Sequence, residues 1–362
     1  MANCIMVGCD LHDKSMLLKV AVDRDKPCVR SWGTDRAARR AMMEDLKRRQ
    51  GQVGAGRIVL GYEACGFGFR LYDELTEAGI EAHVLAPSKM ARSAHQRRRK
   101  TDERDAQAIL DIVRAYVLAG VEMPSVWVPD PQTRDDRELV RIRLAVAQDK
   151  SAAQVRIRWL LKRSGVESPG LKAWTAAYWC WLESLVMRRL PAGAAAALGS
   201  QMREVAWLES EVRRLEEEVR TLSQTARYRP VVEALCRFSG VGVLTAMVYL
   251  TEMGDLSRFR NRQQVGSYLG LVPSSFETGE GADRKGHITR QGPSRVRKVL
   301  CQAVWSRLRW VAWEREAYDR IVARNPKHKK IAVVARMRAL GVRMWHEGLA
   351  AQESLAAEAQ CA

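Results

Sequence analysis

The period of the apolar residues changes once along this chain, and that change limits the folds open to it. Up to about residue 87, short β-rich runs alternate with helical stretches. Segments 4–10 (CIMVGCD), 16–23 (MLLKVAVD) and 27–33 (PCVRSWG) read as three consecutive strands, with LHDKS turning the first into the second. A polar helix over 34–50, a buried strand over 57–64, a helix over 66–79 capped by Gly79 and a strand over 80–87 follow. A three-strand meander followed by strand–helix–strand–helix describes an α/β domain on a mixed sheet. The next helix opens at Thr101 and runs to about Leu118.

Beyond about Pro131 the pattern is helical. A basic helix covers 132–163, with Arg134, Arg137, Arg141, Arg143, Arg156, Arg158, Lys162 and Arg163 along it. An aromatic-rich helix (AWTAAYWCWLESL) and a hinge of small residues over 190–200 come next. Val205, Leu208, Val212, Leu215, Val219 and Leu222 then alternate spacings of three and four, an a/d seam of about three heptads. Its partner is either a helix of its own domain or a second subunit. Arg229-Pro230 opens a C-terminal unit in which two helical stretches over 235–259 are joined by SGVG. Such a turn leaves backbone amides free to cradle phosphate, as in a helix–hairpin–helix, although plain packing uses it too. Residues 270–300 read as a glycine-rich loop running into a basic helix, helices continue to about 350, and the last ten residues look frayed. The expected divisions are 1–130 (α/β), 131–228 (helical linker and coiled coil), 229–350 (C-terminal helical domain) and 351–362 (tail).

Charge indicates the partner. Sixty Lys and Arg against 42 Asp and Glu leave a net charge of +18 with a pI of about 9.9, which calls for a polyanion, nucleic acid above all. No segment has the long uncharged run of a membrane-spanning helix. The N-terminus lacks the basic-then-apolar order of a signal peptide. Eight scattered cysteines without a CxxC pair or a Cys/His cluster point away from zinc and toward a reduced, cytoplasmic protein.

Four acids stand out. In KTDERDA (100–106), Asp102 and Asp105 are three apart and follow a run of cations. Helix capping accounts for them, because Thr101 or Asp102 can accept from first-turn amides and acids suit the helix dipole there. Capping is the simpler reading of this segment taken alone, and the alternative is a shared helix face that holds a metal ion. Asp10 and Glu63 each close an apolar strand, and capping gives no reason for that to happen twice. Acids at strand ends and on a helix are what two-metal phosphoryl-transfer sites assemble. Arg92, Arg97, Arg98, Arg99 and Lys100 beside them suit phosphate contacts, or a solvated basic loop.

These motifs resemble those of the DEDD-type insertion-sequence transposases, the group that includes the Piv and MooV DNA invertases and bridge-RNA-guided recombinases. VGCDLHDKS is similar to the family's first-strand motif, GYEACGFGFRLYDEL to its glutamate motif and KTDERDA to its paired-aspartate motif. FSGVGVLTA, GDLSRFRNRQQVGSYLGLVPS and GHITRQGPSRVRKVL are similar to its C-terminal domain, so the resemblance covers most of the chain. It implies a RuvC-like, RNase H-type domain with Asp10, Glu63, Asp102 and Asp105 as Mg²⁺ ligands, joined through a coiled coil to a helical transposase domain. It further implies a serine nucleophile that forms a covalent phosphoserine link with DNA, and a structured RNA that pairs with donor and target DNA.

The chain departs from that pattern at the nucleophile. The serine expected before a glycine, in the loop after GLVP, is Thr278, followed by Gly279; Ser274 and Ser275 lie near but off the motif. Threonine is a competent hydroxyl nucleophile, crowded by its methyl group. Arg284, Lys285, His287, Arg290, Arg295, Arg297 and Lys298 are expected to bind DNA or RNA phosphates. A dimer or tetramer through the seam is expected. Two alternatives stay open: a metal-dependent nuclease resembling a junction resolvase, which needs no hydroxyl, and a non-catalytic nucleic-acid-binding relative.

Overall fold

In the computed structural model, residues 3–90, 101–188, 190–276, 284–324, 326 and 329–361 are described. The chain divides into two compact units, Met1–Val128 and Pro129–Ala362.

The first unit is a five-stranded sheet in the order β3-β2-β1-β4-β5. Strands β1 (Cys4–Leu11), β2 (Ser15–Val22) and β3 (Cys28–Gly33) form the antiparallel meander. β4 (Arg57–Glu63) lies parallel to β1, and β5 (Glu81–Leu85) parallel to β4. Helix α1 (Arg36–Val53) starts where the Asp35 carboxylate accepts from the Ala38 amide at 2.9 Å. Helix α2 (Arg70–Glu77) is shorter than the expected 66–79, because Gly68 takes a φ of +70° that no helical residue can adopt. Helix α3 (Asp102–Ala119) matches the helix expected from Thr101.

Successive strand residues face opposite sides, which produces two apolar layers. Ile5, Val7, Cys9, Leu18, Val20, Ile58, Leu60 and Tyr62 pack with Met42 and Leu46 of α1 and Leu71 and Leu75 of α2. Cys4, Met6, Ala21 and Val59, on the other face, pack with Ile109, Leu110 and Val113 of α3. Burying a side chain of this size stabilises the fold by roughly 1.5–3 kcal/mol.

The second unit is helical apart from one hairpin. Helix α4 (Pro131–Arg163) begins at Asp130, whose carboxylate accepts from the Thr133 amide at 2.9 Å. It runs antiparallel to α6 (Ala192–Ser223): Arg143 pairs with Glu216 and Arg156 with Glu204, so the start of one helix meets the end of the other. Val205, Leu208, Val212 and Leu215 are buried with Val146, Ala153, Ile157 and Leu161 of α4 and with Leu182 and Leu185 of α5 (Ala176–Arg188). The heptad seam therefore has its partner inside the chain, and the second subunit expected on it is not needed to cover it.

Helices α7 (Arg229–Cys236), α8 (Val243–Met253), α9 (Arg262–Tyr268), α10 (Ser294–Trp310), α11 (Ala312–Arg324) and α12 (Lys329–Cys361) surround a second core. The fully buried Tyr249 donates its hydroxyl to the Gly341 carbonyl at 2.7 Å. The SGVG segment lies in the connection between α7 and α8. Two expectations fail here. The region read as loop contains an antiparallel hairpin, β6 (Pro273–Phe276) with β7 (Arg284–Ile288). The tail read as frayed belongs to α12, which reaches Cys361.

Among the described residues no helix is long and apolar enough to cross a membrane. Cys4, Cys9, Cys28, Cys65, Cys180, Cys236 and Cys301 are free thiols.

Candidate metal centre

A helix lies on a sheet only as closely as the side chains between them allow. At Gly8 a β-carbon would overlap the Ala106 carbonyl and the Leu110 amide of α3. At Gly61, the register partner of Gly8, it would stand 2.9 Å from Cγ2 of Val113. Two adjacent glycines thus make a shallow trough in the sheet, and α3 lies in it.

Each candidate acid follows from this contact by one structural period. Asp10 is two residues beyond Gly8 and Glu63 two beyond Gly61, so both face the α3 side at the C-terminal ends of parallel strands. Asp102 is four residues before Ala106 and Asp105 four before Ile109, which continues the buried stripe of α3 into its first turn. Thr101 caps the helix, its hydroxyl accepting from the Arg104 amide at 3.4 Å, so Asp102 is not the cap. Lys19 of β2, on the same face, reaches Glu103 at 3.3 Å and ties the helix start to the sheet.

The side chains meet as follows. His12 Nε2 lies 3.0 Å from Asp10 Oδ2 and 3.3 Å from Asp102 Oδ1. One ligand atom from each of these three residues lies within 4.8 Å of the others. Two oxygens and a nitrogen so disposed suit one divalent ion, since donors about 2.1 Å from a metal are at most about 4.2 Å apart and small rotations close the difference. Glu63 and Asp105 are half-buried beside this group without belonging to it. Asp105 is near enough to act on Asp10 electrostatically. Burial pushes the Asp10 carboxyl above its ordinary range; His12 opposes the shift, and Asp105 and Asp102 add to it. A bound cation relieves such crowding of like charge.

His12 was not among the acids singled out from sequence. The signal was there: it is two residues past Asp10, the strand period, and its amide donates to the Ser15 carbonyl at 2.9 Å at the turn.

The expected nucleic-acid residues fare unequally. Arg97, Arg98, Arg99, Lys100 and Thr278 lie outside the described residues. Ser274 donates its hydroxyl to the His287 carbonyl at 3.0 Å across the hairpin, and Ser275 pairs with Lys285. Arg284 and Lys285 open β7; His287, Arg290 and Lys298 are exposed. Arg295 is half-exposed, 3.8 Å from the buried Glu252. Arg297 donates to the carbonyls of Leu269 at 3.2 Å and Gly292 at 2.9 Å, so its guanidinium braces the start of α10. Burial draws its pKa down, and the Arg290 charge adds to that.

Comparison with known proteins gives the chain's family. Residues 7–165 match the model of the DEDD transposases of IS110 elements, and residues 232–319 the model described as Transposase IS116/IS110/IS902 family. The protein y4qE of Sinorhizobium fredii, which carries the transposase name, is 30% identical over 300 residues, covering 83% of this chain and 71% of that one. A protein of Pseudomonas aeruginosa named as a family 20 transposase is 26% identical, over 84% of this chain and 88% of its own. The transposase for insertion sequence element IS1111A of Coxiella burnetii is 24% identical, over 82% and 79% respectively. The mixed sheet and the helices around it are consistent with the RNase H-like domain of such proteins. The chain belongs to the IS116/IS110/IS902 family of DEDD transposases.

Proposed function

We propose that the protein is an insertion-sequence transposase that cuts and rejoins DNA in a divalent-metal-dependent reaction, with Mg²⁺ as the ion and a structured RNA of the element as the guide. The observation that carries the reading is the approach of Asp10 and Asp102 on the two sides of His12, at the end of a sheet where Glu63 and Asp105 also lie. Asp10, Glu63, Asp102 and Asp105 hold the metal. A divalent ion supplies Lewis-acid stabilisation of charge on a DNA phosphate.

The chain's own groups do the rest. Asp10, its side chain 13% exposed, is fixed by the strand, whereas Asp102, 58% exposed, is free to meet a nucleic-acid partner. Thr278 is the nucleophile: its hydroxyl oxygen gives up its proton and bonds to the phosphorus of a DNA phosphodiester, the bond to the leaving sugar oxygen breaks, and that oxygen takes up a proton in turn, so that none is gained or lost overall. His287, Arg290, Arg295 and Lys298, with Arg284, Lys285 and the run Arg97, Arg98, Arg99 and Lys100, bind phosphates of DNA and RNA. The net charge of +18 supports a partner with that much backbone. Assembly into a dimer or tetramer is part of the reading. Trp159 and Trp207, 53% and 62% exposed on α4 and α6, support a contact on the outer faces of those helices rather than on the seam.

The test uses DNA carrying the element's ends, RNA transcribed from its flank and a denaturing gel. Asp102→Ala should lower strand cleavage by at least the ~10–100-fold that losing an outer-shell metal partner costs. Thr278→Ala should abolish the covalent protein–DNA adduct and Thr278→Ser keep it. Metal-dependent cutting by the wild type without an adduct would establish the hydrolytic nuclease instead.

A further inference from the structure

The imidazole of His12 stands where a carboxylate-only metal site has no use for it. Its Nε2 shares a hydrogen bond with Asp10 Oδ2 at 3.0 Å and lies 3.3 Å from Asp102 Oδ1. Its backbone amide donates to the Ser15 carbonyl at the β1–β2 turn, which holds the main chain that carries the ring. A hydrogen bond from a single nitrogen cannot be directed well at two acceptors at once, whereas one lone pair and two carboxylate oxygens can converge on a common point.

We propose that His12 is itself a ligand of the metal bound by Asp10 and Asp102, and that this nitrogen strengthens the binding of Mn²⁺, as a substitute for Mg²⁺, far more than that of Mg²⁺ itself. The proposal rests on the metal-site reading above. Mg²⁺ is hard, keeps its waters and favours oxygen donors in near-ideal octahedral geometry. Imidazole nitrogen is a borderline donor that stabilises first-row transition ions and adds little for Mg²⁺. A neutral imidazole adds a donor that favours Mn²⁺ without adding a like charge to the two aspartates. His12 is 41% exposed, so an ion and its waters can reach it without opening the core. Since Glu63 and Asp105 lie beside the group on the same face, oxygen donors are at hand for the other side of the ion.

The full-length protein, His12→Asn, His12→Asp and Asp102→Ala are titrated with MnCl2 and with MgCl2, and bound Mn²⁺ is examined by pulsed EPR for coupling to nitrogen. Wild-type protein should show nitrogen coupling that changes isotope when histidine is supplied as ¹⁵N. Losing a ligand should weaken Mn²⁺ binding at least as much as losing an outer-shell partner, about tenfold or more, and move Mg²⁺ binding far less. His12→Asp should lose the nitrogen's contribution to Mn²⁺ binding while still binding Mg²⁺. Mn²⁺ that binds in an Asp102-dependent way but shows no histidine nitrogen coupling would overturn the ligand assignment and leave the metal site standing. Mn²⁺ binding that Asp102→Ala does not weaken, or no binding at all, would overturn the metal-site reading and this inference with it. The isotope experiment needs no variant, so it decides the matter even if a substitution at His12 unfolds the domain.

Discussion

Gly8 and Gly61 are register partners on adjacent parallel strands, and α3 lies across both. The two glycines set the height of the helix above the sheet and with it the separation between the acids on the strands and those on the helix. Gly8→Ala should be the more damaging substitution, because its methyl group meets the backbone of α3 at Ala106 and Leu110. Overpacking costs about 1–3 kcal/mol, and Gly8→Ala should lie at the upper end. Gly61→Ala should cost about 1 kcal/mol, since Cγ2 of Val113 can move. Thermal unfolding measures both, and Gly8→Ala should also weaken metal binding by moving Asp102 away from Asp10.

Asp10 links pH to stability. Its folded pKa is raised by burial, with Asp105 and Asp102 adding to the effect. The folded state therefore disfavours the ionised form, and in EDTA the wild type should lose stability as pH rises from the ordinary carboxylate range through the raised value. Asp10→Asn should lack that loss and be the more stable of the two at neutral pH without metal. Adding metal at a hundred times its dissociation constant should stabilise the wild type by about 2.7 kcal/mol and leave Asp10→Asn nearly unmoved. Denaturant unfolding at several pH values checks the sign.

The α4–α6 pair predicts different outcomes for two neighbouring residues. Leu208 is buried in the seam, and Leu208→Ala should cost about 2–5 kcal/mol. Trp207, 62% exposed, should cost little stability when replaced by alanine. If the outer faces join protomers, Trp207→Ala lowers the mass seen by light scattering in a protein that is still folded.

A buried charge cluster holds the C-terminal helices. Glu314 accepts from Arg307 at 2.9 Å and from Arg336 at 2.5 Å, while Arg307 also donates to the Ser239 carbonyl at 3.0 Å. Glu314→Ala strands two guanidinium groups, so a loss of roughly 3–5 kcal/mol is expected by chemical unfolding. Glu314→Gln should lose less, because the amide oxygen still accepts.

Two of the residues that the structure brings together, Asp10 and Asp102, were legible in the sequence. Asp10 and Glu63 were visible because each ends an apolar run, and Asp102 and Asp105 because they follow the cap of a helix with its own apolar stripe. What lets the helix start approach the strand ends was less visible. Gly8 and Gly61 read as interruptions in two strands, and only pairing in register turns them into a trough for α3. His12 was hidden in a stretch read as a turn, where strand alternation continues one residue past β1. The β6–β7 hairpin was masked by the glycines between its strands, since two strands of four and five residues leave little periodic signal. The seam's partner could not be read from its own spacing, because a heptad pattern is the same whether the facing helix is in the same chain or another.

The most direct measurement is anomalous diffraction at the manganese edge from crystals of the protein soaked in MnCl2. A peak within about 2.2 Å of carboxylate oxygens of both Asp10 and Asp102 is the predicted result. A peak elsewhere, with none between β1 and the start of α3, would contradict the account.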